Sequence, residues 1–318
     1  MTLLLLACTP EVEPFSLSCP DPGQPQVELP ADDAPHTEDV EWFYWTGHLL
    51  DTSGRWYGFE HTVFVYQLPG YTATSAHMAL TDISGDTFEY DVAYEHGELP
   101  EATVDGFELL VEGSVAEGGS GADHLEGSTP SASWTLDLAG QETVLQHGDG
   151  YHDYEEGGYT WYYSRPRMTV AGGLVIDGGA RQVSGQAWFD HQWGELGGVT
   201  TEGWDWFALQ LDDGREVMLF LTHSGGLVGG SVSSESGTCE LLEDEFTVTE
   251  AGWWTSPNTG CLYPMGWQIR VGEETLTLTP VREDQELASD YRTYWEGAVT
   301  ISGDQDGRGY VEMAGRCE

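Results

Sequence analysis

The stretch Gln186–Glu195, QAWFDHQWGE, decides how this chain is read. Aromatic and polar residues alternate in it with the two-residue period of a β-strand. On such a strand Trp188, Asp190 and Gln192 share one face, and Phe189, His191 and Trp193 share the other. A strand so rich in indole is buried on at least one face. A carboxylate and an imidazole in that setting are costly unless they are hydrogen-bonded or used. Asp190 and His191, with Trp193 beside them, are therefore the first candidates for catalytic work, serving different surfaces.

Outward from this stretch the same texture repeats. VEWFYWTGHL, YGFEHTVFVYQL, AHMALTDIS and YTWYYSR precede it, and WDWFALQL, REVMLFLTH, ETLTLTPV and TYWEGAVTIS follow. Turn signals such as DTSG, LPG, DDG and GDQDG separate them,. The spacing predicts about eighteen short strands, with no helical periodicity beyond about two turns. The fold class is all-β, and two closed or nearly closed antiparallel barrels would remove the exposed edges. The border falls near residue 197, at the end of DHQWGELGG, giving barrels over 39–196 and 197–318. EWFYWTGHLLDTSGRWYGFEHTVF and GWDWFALQLDDGREVMLFLT echo each other, as a duplicated barrel would.

Composition narrows the function. Of the 318 residues 39% are apolar and 38 are aromatic (13 Trp, 15 Tyr, 10 Phe), enough for aromatic-lined interiors. Ten basic residues, all Arg, face 55 acidic ones, a net charge of −45. Such a field repels nucleic acid and anionic lipid, and neither is expected as a partner.

The chain starts MTLLLLACTP, and Leu5-Leu6-Ala7-Cys8 fits a bacterial lipobox. Residues 9–38 hold seven of the 14 prolines and many acids, the composition of an extended tether,. Residues 1–38 thus read as a lipoprotein signal remnant and tether. The expectation is an exported lipoprotein, periplasmic or anchored at the outer membrane or cell surface, touching the membrane only through Cys8. Four cysteines remain, with three possible connectivities. The expected pairs are Cys239–Cys261, around the turn-rich SPNTG, and Cys19–Cys317, pinning the tether to the last strand.

Other candidates sit on aromatic strands. Trp42 and Tyr44 alternate with Glu41 and Phe43, Trp204 and Trp206 flank Asp205, and Tyr294 shares a face with Glu296. With Tyr163 these make the expected ligand-binding set: Trp42, Tyr44, Tyr163, Trp204, Trp206, Tyr294 and Glu296. Glu41 and Glu296 read first as buried ties. No G-x-S-x-G or C-x-x-C occurs, and Ser164 has no nucleophile-elbow context,. His147, Asp149, His152 and Asp153 read as a solvated Gly-rich loop. No metal or cofactor is expected.

The ordered segments EWFYWTGHL, YYSRPRM, VSGQAWFDHQWG, GWDWFALQLDDGREVMLFL, YPMGW and YWEGAVTISGDQDGRGYVEMAG resemble the AttH/CrtC-like family over roughly residues 39–316. That family includes carotenoid 1,2-hydratases (hydroxyneurosporene synthases) and kievitone hydratase-like proteins. The resemblance implies two packed lipocalin-like barrels. It also implies a signature at Asp190, His191 and Trp193, whose His and Trp are implicated in catalysis in the hydratases. Those enzymes carry a Tyr-x-Asp on the strand after W-x-W. Here that strand reads EVMLFLT, with Met218 and Phe220 and no acid. The first expectation is therefore a binder of an apolar, isoprenoid- or polyene-like molecule. The alternatives are a hydratase, cyclase or isomerase using Asp190 and His191 on a C=C bond, and a structural envelope protein.

Overall fold

In the computed structural model the described residues are 17–97, 101–103, 106–140, 144–196, 203–223, 228–235, 237–289 and 292–317. Cys8, the expected lipid anchor, lies outside them. The fold is all-β, and among the described residues only two short 3-10 turns interrupt it.

The first sheet contains β1 (Val40–Asp51), β2 (Trp56–Leu68), β3 (Tyr71–Asp82), β4 (Thr87–Gly97), β5 (Glu101–Thr103), β6 (Gly106–Val111), β7 (Ser114–Gly119), β8 (Ala122–Ser128), β9 (Ala132–Ala139), β10 (Tyr151–Asp153), β11 (Tyr159–Ile176) and β12 (Gly179–Glu195). Its order is β4-β3-β2-β1-β12-β11-β9-β8-β7-β6-β5, with β10 beside β11. The sheet curls until β3 and β4 touch β6 and β8, making a barrel.

The second half contributes β13 (Trp204–Leu211), β14 (Glu216–Thr222), β15 (Val228–Ser234), β16 (Gly237–Glu240), β17 (Phe246–Glu250), β18 (Trp253–Thr255), β19 (Leu262–Pro264), β20 (Trp267–Val271), β21 (Glu274–Pro280), β22 (Glu286–Ala288), β23 (Thr293–Gly303) and β24 (Gly307–Ala314). Apart from the small β18–β19 pair and β22, which joins β23, they form a half-barrel ordered β16-β15-β14-β13-β24-β23-β21-β20-β17.

Strand alternation produces three cores rather than two. Phe43, Trp45, Phe189 and Trp193 point into the first barrel. Phe207, Trp267, Trp295 and Val311 fill the second. The outward faces of the central strands then pack on each other, burying Tyr44, Tyr162, Trp188, Trp206, Tyr294 and Tyr310 in a seam. Large side chains buried this fully contribute roughly 1.5–3 kcal/mol each. Gly58 on β2 lets the sheets approach, since a Cβ there would come within 2.5 Å of the Tyr310 hydroxyl.

One irregularity ties the halves. YYSRPRM is not a strand end, as its proline suggests, but a bulge within β11, where register shifts between Arg165 and Met168,. The extra residue reverses the alternation. Arg165 points into the first barrel, where its guanidinium meets Asp33 at 2.9 Å. Arg167 reaches the second sheet and donates to Glu216 (2.5 Å) and to the Leu211 carbonyl (3.0 Å).

The described part of the segment read as an extended tether is docked on the folded body. Leu17 packs on the second core, Val27 belongs to the first, and Asp33 is fully buried inside the first barrel.

The disulfide expectation is corrected. The bonds are Cys19–Cys239 and Cys261–Cys317. Cys239 lies on β16, one edge of the second sheet, whereas Cys261 lies between β18 and β19, a separate pair that follows β17 at the other edge. A short sequence interval between the two cysteines therefore does not bring them together.

Candidate functional site

A cavity of about 220 Å³ opens in the seam, outside both barrels. From the first sheet it is walled by Trp42 and Tyr44 of β1, Glu60 and Phe64 of β2, Tyr162 of β11, and Asp190 and Gln192 of β12. From the second come Trp204 and Trp206 of β13, Met218 and Phe220 of β14, Tyr294 of β23 and Glu312 of β24. His147 and Arg292 are also on its wall.

Asp190 is the best-tied group on this wall. Its Oδ1 accepts from the Ser164 hydroxyl and from Trp188 Nε1 (2.6 Å). Its Oδ2 accepts from the Tyr162 hydroxyl at 2.6 Å, and Tyr162 in turn accepts from Trp206 Nε1 at 3.1 Å. Burial pushes the Asp190 carboxyl up from 3.8 to about 7, against the pull of those three donors. Ser164 donates to Asp190, so its oxygen takes the Nε2 proton of His147 at 2.7 Å, and His147 Nδ1 accepts from Ser231 at 3.1 Å,. His147 is held neutral by burial. The loop expected to be solvated thus delivers a buried imidazole to the site.

A second polar group lies across the seam. Glu60 accepts from Tyr294 (2.8 Å) and Thr62 (3.1 Å) through Oε1. Tyr294 itself receives His77 Nδ1 at 2.7 Å. Glu296 accepts from Tyr44 at 2.8 Å. The Oε2 atoms of Glu60 and Glu296 are buried with no hydrogen-bond donor among the described residues. Burial, and for Glu296 the charge of Glu60, raises both carboxyls above their ordinary values. Glu312 is likewise raised by burial. Arg292 stacks over Trp204 at 4.8 Å.

Of the residues singled out in the sequence, Asp190, Trp42, Tyr44, Trp204, Trp206 and Tyr294 meet at this cavity. Glu296 stands behind its wall, bound to Tyr44. Three do not belong. Tyr163, His191 and Trp193 point into the first barrel, because their parity on β11 and β12 is opposite to that of Tyr162 and Asp190. Tyr163 donates to Asp33 there. His191 Nε2 sits 2.7 Å from Glu41 Oε1, its ring stacks on Phe43 at 4.0 Å, and it lies against Trp193. Neither His191 nor Trp193 lines the seam cavity; both side chains face the first barrel instead.

His36, Glu41 and His191 bring three ligand-type atoms within 4.8 Å of one another, as do Cys261, Glu286 and Cys317. The cysteines of the second group are spent in a disulfide. In the first, both rings converge on the same Glu41 oxygen at 2.8 and 2.7 Å, the geometry of a hydrogen-bonded tie. Burial lowers the basicity of His36, but bonds to Asp32 and Glu41 outweigh it and lift that imidazole to about 9.

Sequence reasoning missed Tyr162, Ser164, His147, Glu60 and Glu312. For Glu60 and Glu312 a signal existed: each is a lone carboxylate inside an apolar strand, in YGFEHTVFV and GYVEMAG. For Ser164 none did, since only the pairing of β11 with β12 sets it opposite Asp190.

No curated protein matches the sequence. Among solved structures, an AttH protein of Nitrosomonas europaea superposes with a TM-score of 0.81 at 26% identity, over 95% of this chain and 100% of that one. Kievitone hydratase of Nectria haematococca superposes with a TM-score of 0.74 at 16% identity, over 94% of this chain and 98% of that one, a likeness of fold. The model of the AttH-like family matches residues 20–316, nearly the whole sequence. This chain belongs to the AttH-like family.

Proposed function

We propose that the protein binds an apolar molecule in the seam cavity and protonates a C=C bond of it from Asp190, as a hydratase or a related cyclase or isomerase would. The observation that carries this is Asp190 itself, a buried carboxyl with a pKa of about 7 on the wall of an aromatic cavity. Near neutral pH about half of such a group is protonated, the balance a general acid needs. Proton transfer to an alkene leaves a cation, and the faces of Trp42, Trp204 and Trp206 stabilise positive charge. A cavity of about 220 Å³ suits one ring or prenyl unit rather than a whole polyene, since an engineered void of about 150 Å³ already takes benzene.

Simple binding without turnover is the second reading, favoured by the apolar Met218 and Phe220 on the same wall. One experiment separates them. Prenylated phenols and acyclic monoterpenes are incubated with the protein in D₂O and followed by mass spectrometry. Uptake of deuterium at a former alkene carbon, reduced by about 100-fold or more in Asp190→Asn, is the expected result. Binding without exchange supports the second reading, and exchange unchanged in Asp190→Asn removes Asp190 as the acid.

Export and lipidation at Cys8 belong to the same proposal. The two disulfides support an oxidising compartment,.

A further inference from the structure

Glu60 faces the cavity from β2 and is only 1% exposed. Tyr294 and Thr62 both bond its Oε1, while its Oε2 has no donor among the described residues. Glu296 is as deeply buried, has one donor, Tyr44, and also keeps an empty Oε2. Buried acceptors are almost always satisfied, by protein or by something bound. Two such carboxyls repel one another's second charge, so the pair retains a proton. The donor count places it: Glu60, with two donors, is the better anion, and Glu296 the better acid.

We propose that the free oxygen of Glu60, backed by Glu296, is a subsite for an O–H group on the wall of the cavity supplied by β2, away from Asp190 on β12. The O–H comes from a water or from a hydroxyl on the ligand. This rests on the cavity being the ligand site and deepens that reading. In a hydration, the Asp190 proton forms the new C–H bond and the alkene π pair is consumed. The oxygen of the water held at Glu60 forms the C–O bond, and the proton it loses goes to the Glu60 carboxylate. Alkene and water become alcohol, and return of that proton to Asp190 resets the site.

The test uses 1-methylcyclohexanol and methylcyclohexane, a matched pair with and without the hydroxyl, titrated by NMR into the whole protein. The ratio of alcohol to hydrocarbon affinity should fall about tenfold in Glu60→Met, the weight of one buried hydrogen bond. It should change little in Asp190→Asn. A crystal soaked with the alcohol should show its hydroxyl on Glu60 Oε2, a readout that needs no variant to fold. Soaked with the hydrocarbon, it should show a water there. A hydroxyl on Asp190 instead, a dry Glu60 Oε2, or a ratio unchanged in Glu60→Met overturns the subsite while leaving the cavity reading intact. If neither probe binds, the cavity reading fails and the subsite with it.

Discussion

Asp190 and His191 are neighbours in sequence with opposite duties, and substitution should separate them. His191 is fully buried between Phe43 and Trp193 and satisfies Glu41. His191→Ala leaves a void and strips a buried carboxylate of one partner, costing about 2–4 kcal/mol. Asp190→Asn keeps the shape and should shift stability by less than about 1 kcal/mol near pH 6. Its effect then changes sign with pH. A carboxyl raised from 3.8 to about 7 gives the folded state a proton the unfolded chain has lost, so stability falls as pH rises through 7,. Asn cannot ionise and escapes that fall. Between pH 6 and 9 the variant should gain about 1.4 kcal/mol on the wild type, so that by pH 9 it is the more stable of the two. Denaturant melts at both pH values check this, and parallel curves would mean that Asp190 titrates normally. The opposite facing of the pair was legible in the sequence because strand parity is local. Which face met a cavity was not, because that depends on a strand of the second sheet.

Among elements, β11 shows where reading by segment stops. Its first half, YTWYYSR, reads as a strand that stops at the proline, since a proline cannot donate to a ladder. The bulge absorbs Pro166 and keeps one strand of 18 residues. Aromatic strands and tight turns were legible because periodicity and turn chemistry are local. The disulfide pairing and the docked N-terminal segment were not, because both are set by sheet order. Arg165 illustrates the second point. It lies far from Asp33 in sequence, yet the two form a buried ion pair, with Asp33 also accepting from Tyr163 and the Ser120 amide (2.8 Å). Arg165→Met should cost about 3–5 kcal/mol, because it leaves a carboxylate uncompensated in the barrel. The double variant Asp33→Leu/Arg165→Met should recover most of that loss. Chemical denaturation of the two variants measures it. A double variant no more stable than the single would show that the pair is held by its hydrogen bonds rather than by charge.

For the whole molecule, two kinds of charge act, and pH with salt resolves them. The net charge of −45 repels itself across the surface. Raising salt from 0.1 to 1 M shortens the screening length from about 10 to about 3 Å, so the melting temperature should rise with salt at any fixed pH. Buried groups behave differently. Asp190 at about 7, Glu296 and Glu312 raised by burial, and His36 at about 9 all hold protons that the unfolded chain releases at lower pH. Their joint effect is a loss of stability as pH climbs from 6.5 to 9. Burial lowers His48, His61 and His77 to about 3 and His152 to about 4, so these rings resist charging and oppose the acids below pH 6.5. The result is a flat region between roughly pH 4 and 6.5 and a decline above it. Exposed carboxylates are already ionised by pH 6.5, and salt screens buried sites poorly. The decline from pH 6.5 to 9 should therefore persist in 1 M sodium chloride, although every melting temperature there is higher, and it should be shallower in Asp190→Asn. A melting temperature constant over that range at molar salt would show that the seam carboxyls are ionised together in the folded protein, and the acid assigned to Asp190 would go with them.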